Sequence, residues 1–416
     1  MALSGAPDID YNPIDYEIDA RVQEVWRRMR DEAPLYRNDQ YDFWALSRYD
    51  DVLAAMLDPG TFSSASGTTI EMLSAEMPRI PMMIFMDPPE QTWHRTIVSR
   101  AFTVRTMSKL EGRVTQLCND LLDGVRGREE FDFLLDYGSV IPPTMILALL
   151  GFPEGFEREW RDSVNAGLTV DPDGSFTGRP SLDPGEAGQH VQSLIEGEGL
   201  GMAQLLEVLP GLLEQRRRQP QDDLMSVLVN SELDEGGTKR PLTDEEIFSF
   251  LFLIASAGTE TVGRLLGWVA TLFDQHPDQR RLLVEDPGLI ENAIEECLRY
   301  EAPSPVNGRR VTRDVEFHGQ TLPQGASLLM LNGSGNRDDR HFEDADRFDV
   351  RRRIDRHLSF GYGAHFCIGA ALARLEGQIA LREFLKRYPT WEVDYERAEM
   401  VHTTTVRGYA KVPVRV

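Results

Sequence analysis

Residues 360–376 read FGYGAHFCIGAALARLE and hold Cys367, one of only 3 cysteines in 416 residues. Gly361 and Gly363 precede the cysteine, and an alanine- and leucine-rich run follows it. Glycine admits backbone angles closed to other residues, so the chain can turn tightly ahead of the sulfur. Gly369 leaves room for something large to approach just past Ile368. The run from about Ile368 to Tyr388 reads as a helix whose positive end lies near Cys367, which favours a thiolate. Such a thiolate suits a nucleophile, a metal ligand, or nothing, because a free cysteine is usually buried and inert.

A hydrolase needs a histidine base, and His365, two residues away, is badly placed to reach back. A zinc site needs several closely spaced S or N ligands, which this sequence lacks. Haem brings its own four nitrogens, so a single axial cysteine between glycines suffices for it. The inert reading leaves the glycines unexplained.

Composition narrows the setting. Cys118, Cys297 and Cys367 are odd in number and widely spaced, which excludes a disulfide scaffold and fits a reducing compartment. The net charge of -24 excludes a generic nucleic-acid binder. The opening MALSGAPDIDYNPIDYEID has neither a basic n-region nor an apolar h-region. The longest apolar stretch, IFSFLFLIASAG from Ile247 to Gly258, falls short of the about 20 residues of a membrane span. A cytoplasmic, monomeric protein without membrane contact is expected.

No repeat or low-complexity linker marks a boundary, so residues 1–416 read as one domain. Most of it reads as helix: Ala20 to Ala33, Tyr49 to Leu57, Glu90 to Ala101, Val104 to Val125, Gly201 to Arg218 and Leu289 to Tyr300. Strands are predicted in β-rich portions near 34–50 and 308–332, and again at YAKVPVRV. Phe62 to Met86 and the Pro/Gly-rich Asp171 to Gly188 read as loops.

A long central helix is predicted from a capping box at Thr243 and Glu246 to about Gln275. It is apolar almost all round at first, hence buried. AGTET, Ala257 to Thr261, interrupts it with a glycine, hydroxyls and a carboxylate. One reading has Glu260 solvated and Thr261 bonded back to a carbonyl. The other is a helix opened beside a buried site, where Glu260 and Thr261 handle protons. Later, IEECLRYEAPSP sets Glu296 and Arg299 on one helical face, and DADRFDV offers Arg347 as a second arginine for that carboxylate.

AGTET, ECLR, DRF and FGYGAHFCIG, in this order and spacing, resemble the cytochrome P450 family over nearly the whole chain. Phe360, Gly363, Cys367 and Gly369 follow its FxxGxxxCxG pattern. The resemblance implies a mainly α fold with small β-rich portions and haem b buried between the central helix and the helix after the cysteine. It implies Cys367 as proximal iron ligand, with Phe360, Gly361, Gly369, Ala257 and Gly258 lining the haem. It implies that Thr261 hydrogen-bonds dioxygen and that Glu260 relays protons. Glu296, Arg299 and Arg347 match a structural charge network. His365, Arg309 and Arg95 match propionate-binding positions. Gln91 stands where the family often has histidine, and His94 sits beside Arg95.

The implied reaction uses O2 and NAD(P)H electrons to hydroxylate or epoxidise a small lipophilic substrate. No flavin or nucleotide fingerprint is present, so ferredoxin and ferredoxin reductase would be separate chains. The basic run RRRIDRH, with Arg351, Arg352, Arg353 and Arg356, would steer an acidic partner. Substrate contacts are expected from Phe62 to Met86, Asn165 to Leu168, the central helix, Val306–Asn307 and Thr403 to Val406. A peroxide-driven enzyme or a haem-based sensor is the rival; neither needs the Glu260–Thr261 pair.

Overall fold

The central helix runs from Asp244 to Gln275 in the computed structural model, which describes residues 9–13, 15–74, 80–161, 202–401 and 405–416. The predicted capping box is in place. Thr243 Oγ1 accepts from the Glu246 N–H at 3.2 Å, and the Glu246 carboxylate accepts from the Thr243 N–H at 2.8 Å. Two of the backbone donors left open at a helix start are thereby satisfied. The first half of the helix packs with Val98, Trp160, Leu205 and Leu228, and the second half with Phe133, Phe384 and Trp391. Two large apolar clusters therefore meet along one helix, each buried leucine or phenylalanine contributing about 1.5–3 kcal/mol. By length and composition this helix could cross a membrane, but 67% of its apolar window is buried inside the protein.

Around it lie the helices Ile141–Leu150, Ile290–Tyr300 and Ala370–Arg387, the last following Cys367. The mainly α architecture is as expected, and the two β-rich portions join into one five-stranded sheet. Its order is Leu35–Asn38, Phe43–Leu46, Ser327–Leu331, Val306–Val311 and Phe62–Ser63. Phe43–Leu46 runs parallel to Ser327–Leu331, with Leu329 opposite Ala45, and the other pairs are antiparallel. Near the C-terminus, Gly408–Lys411 pairs with Glu399–Val401 and lies against the central helix.

Several expectations are corrected. The helix predicted over Val104 to Val125 breaks into Val104–Met107, a 3-10 turn at Ser108–Leu110, and Glu111–Gly124. Phe62 to Met86 carries the strand Phe62–Ser63, the helix Ile70–Ser74 and a 3-10 turn at Met83–Phe85. Asp171 to Gly188, Asn165 to Leu168 and Thr403 lie outside the described residues. The central helix does not open at AGTET; it stays α-helical throughout. A Cβ at Gly258 would come within 2.8 Å of Ile146 Cγ1, so the glycine admits the neighbouring helix.

Arg347 is not the second arginine of the charge network. Glu296 and Arg299 are paired in two bonds, 2.7 and 2.8 Å, with both side chains 0% exposed. The second cation on Glu296 is Arg352, at 3.2 Å, and the Asp349 N–H also donates to it at 2.9 Å. Arg347 points outward to Asp344 and Asp349, because the next side chain, Phe348, is buried in the core. Only its carbonyl joins the network, accepting from Arg352 at 2.8 Å.

Candidate active site

The cysteine loop folds as its glycines allow. Gly361 and Gly363 adopt φ of 63° and 69°, and a Cβ at Gly363 would lie 2.7 Å from the Met56 carbonyl. The Cys367 N–H donates to the Phe360 carbonyl at 2.8 Å, closing the loop. Burial pushes the thiol up, while the N–H groups of Gly369 and Ala370, with Arg95 and Arg374, pull it back. A metal on the sulfur would remove that proton outright. Nothing lies within 4 Å of a Cβ built at Gly369, so the residue borders open space.

That space is a cavity of about 300 Å³. Cys367, Phe360, Gly361 and Gly369 wall one side, and Ala257, Gly258 and Thr261 of the central helix wall another. Arg95, Arg309 and His365 converge on it from three separate segments. Among the described residues no carboxylate pairs with Arg95 or Arg309 within 4 Å. Burial lowers Arg309 to about 10. Burial, then Arg309 and Arg95, lower His365 to about 3, and its Nε2 lies 3.2 Å from Ser64 Oγ. Arg309 is buried with no carboxylate beside it among the described residues, so the site calls for an anionic ligand. One thiol facing open space, with two arginines and a histidine at its edge, fits haem and its two carboxylates.

Gln91 lines the cavity, but its Nε2 donates to the Ala364 carbonyl at 2.7 Å and so braces the cysteine loop. His94 is corrected: it is buried away from the cavity, its ring 5.9 Å from that of Phe250 and tilted to it, with Nε2 3.5 Å from Glu246. Consecutive helical residues project about 100° apart, so when Arg95 faces the cavity His94 does not.

The same rule separates the acid–alcohol pair. Thr261 lines the cavity, its hydroxyl donating to the Ala257 carbonyl at 2.9 Å. Glu260 is not solvated and is not on the wall. It is buried and bonded to Arg264 one turn on. Burial raises its pKa, and Arg264 opposes that rise.

Sequence reasoning missed two features. Glu376 lines the cavity from the helix after the cysteine, is 1% exposed, and its Oε1 has no hydrogen-bond partner among the described residues. Burial raises its pKa well above the ordinary value, which favours the neutral acid. Its spacing from Leu372 and Ile379, i, i+4 and i, i+3, places a carboxyl on an apolar stripe and was a legible signal. The second is behind the loop, where Arg374 lies 4.5 Å over the Phe360 ring and pairs with Glu295 at 2.7 Å. Despite burial, His357 and Arg374 hold Glu295 down to about 2. Of the expected docking arginines, Arg352 is withdrawn into the Glu296 network, whereas Arg351, Arg353 and Arg356 are exposed.

Comparison with known proteins agrees with this geometry. The family model Cytochrome P450 matches residues 283–408. Cytochrome P450 130 of Mycobacterium tuberculosis is 34% identical over 423 residues, 97% of this chain and 98% of its own. Vitamin D(3) 25-hydroxylase of Pseudonocardia autotrophica is 37% identical over 376 residues, 89% of this chain and 87% of its own. The structure of a mutant of P450 EryK with erythromycin B superposes with a TM-score of 0.83 at 32% identity, covering 95% of this chain and 96% of that one. CYP109E1 from Bacillus megaterium with testosterone gives 0.82 at 28%, covering 96% and 98%. The chain belongs to the cytochrome P450 family, monooxygenases that bind haem b.

Proposed function

We propose that this chain hydroxylates or epoxidises a small lipophilic substrate, using O2 and NAD(P)H electrons delivered by a separate ferredoxin and its reductase. The observation that carries this reading is one cavity shared by Cys367, the arginines Arg95 and Arg309, the His365 imidazole and the Thr261 hydroxyl. Its remaining wall includes Met83, Ile84, Ile146, Leu253 and Ile254, an apolar lining suited to such a compound. The relatives and neighbours named for vitamin D(3), erythromycin B and testosterone support a lipophilic small-molecule substrate.

Haem, when bound, supplies the redox centre at which one atom of O2 enters the substrate and the other becomes water. Cys367 would ligate it, Arg95, Arg309 and His365 would meet its carboxylates, and Phe360, Gly361, Gly369, Ala257 and Gly258 would line it. Thr261 accepts and donates at the cavity wall, and leaving the Ala257 carbonyl costs about 1 kcal/mol. Glu260 carries protons toward it from solvent. Arg351, Arg353 and Arg356 present the positive face to an acidic partner in an otherwise acidic protein.

Cys367→Ser should abolish the red-shifted Soret band of the reduced, CO-bound protein while haem stays bound. An unshifted band in the wild type would remove the cysteine from the site. Thr261→Ala should release peroxide in place of product at unchanged NAD(P)H consumption. Unaltered coupling would take Thr261 out of the reaction.

A further inference from the structure

Glu260 needs a fixed place if it is to relay protons, and the central helix does not supply one by itself. Both the Glu260 and Arg264 side chains are only 4% exposed. Arg264 Nη2 donates to Glu260 Oε2, while Arg264 Nη1 donates to the Tyr409 carbonyl at 2.6 Å. The guanidinium thus bridges the acid and the strand Gly408–Lys411 with two hydrogen bonds, which a planar fork makes and an ammonium does not match. The strand reaches the helix because residue 408 lacks a side chain: a Cβ there would lie 2.8 Å from Arg264 Cβ. Trp268 Nε1 donates to the Arg407 carbonyl at 3.0 Å, and the Arg407 guanidinium lies 4.9 Å over the Trp268 ring. The Arg407 N–H in turn donates to the carbonyl of Pro303, a residue of the cavity wall, at 2.9 Å.

The other ionisable groups packed here are Tyr409 and Arg407, the latter neutralised by Glu301 at 2.6 Å and Asp19 at 3.0 Å. Arg264 is therefore the cation that acts directly on Glu260.

We propose that Arg264 is the positioning residue of the proton relay: it holds Glu260 against the Gly408–Lys411 strand, turned from the cavity, and so governs proton delivery toward Thr261. The proposal rests on the reading of Glu260 as a relay. The step is a proton transfer alone. An O–H bond breaks at the Glu260 carboxyl, one forms at the acceptor on the Thr261 side, and solvent returns the proton to Glu260; the electrons are those of the ferredoxin couple. Without Arg264, a carboxyl this buried keeps its proton to higher pH, because an adjacent cation ordinarily lowers an acid by about 1–3 pH units.

The test uses haem-loaded protein and two readouts. The first is infrared titration of the buried carboxyl in the resting protein, assigned by its loss in Glu260→Gln. The second is peroxide released per O2 consumed, as a function of pH, with a surrogate ferredoxin and reductase and no added substrate. In the wild type peroxide yield rises as Glu260 loses its proton. Arg264→Gln should move both curves about 1–3 pH units upward, and Arg264→Lys, which keeps the charge, should bring them back toward the wild type. Gly408→Ala keeps both charges and forces the strand off Arg264; it should shift both curves the same way by less, which serves if Arg264→Gln does not fold. Curves unmoved in Arg264→Gln, or unmoved in Gly408→Ala where only that variant folds, overturn the proposal, even if the melting temperature falls. Peroxide yield unchanged in Glu260→Gln sinks the relay reading instead, and the infrared curves still report whether Arg264 sets the acidity of Glu260.

Discussion

Glu296 and Glu376 are both buried glutamates, and their surroundings are opposite. Glu296, in the helix Ile290–Tyr300, meets Arg299, Arg352 and the Asp349 N–H. Glu376, at the end of the cysteine stretch, leaves Oε1 without a partner among the described residues and borders the cavity. A buried carboxyl can persist either as an anion fully paired or as a neutral acid. The first solution makes a frame: Arg299 also donates to the carbonyls of Asn336 and Ala345, drawing three segments together behind the cysteine loop. The second leaves a proton-bearing group at the site. Glu260, with a single cation, stands between them.

The largest effect expected from breaking this contrast is at Arg352. Arg352→Ala removes a charged hydrogen bond from a carboxylate that water cannot reach, and should cost about 1.5–3 kcal/mol in denaturant unfolding. A cost near zero would mean that Arg299 alone suffices. Next comes Glu376→Gln. A carboxyl whose pKa is raised by folding is protonated in the native state where the unfolded chain has released its proton. It therefore contributes fully below the ordinary glutamate value of about 4.3, and stability is lost as pH rises from there toward the folded value. Glu376→Gln removes that loss, so it should gain on the wild type by up to about 1.4 kcal/mol per pH unit across this window. Parallel unfolding curves against pH would show that Glu376 is paired after all, and the contrast would fall. The smallest effect is at Arg347, whose side chain is 63% exposed. Arg347→Ala should change stability by no more than about 0.5 kcal/mol, and a change as large as that of Arg352→Ala would restore Arg347 to the network.

The cysteine loop was legible because its causes are local. Positive φ at Gly361 and Gly363, the helix start beyond Gly369 and the capping box at Thr243 each depend on a few consecutive residues. Arg95, Arg309 and His365 could be named from motif positions, yet their meeting at one cavity is a property of three separate segments. Gly258 was read as a flaw in the helix, because Ile146, the neighbour that requires it, is far away in the chain. His94 and Arg95 are neighbours in sequence, but helix rotation sends one inward to Glu246 and the other to the cavity.

By itself the sequence determined the mainly α character, the buried central helix and a cysteine presented between glycines, since period, caps and backbone freedom act over a few residues. Only the tertiary structure decided which charges meet. Arg352 reaches Glu296 across 56 residues and Arg264 reaches the Tyr409 carbonyl across 145. Whether a buried glutamate is an anion in a frame or an acid at a cavity depends on those distant partners, because in a low-dielectric interior the nearest cation sets the energy of the charge.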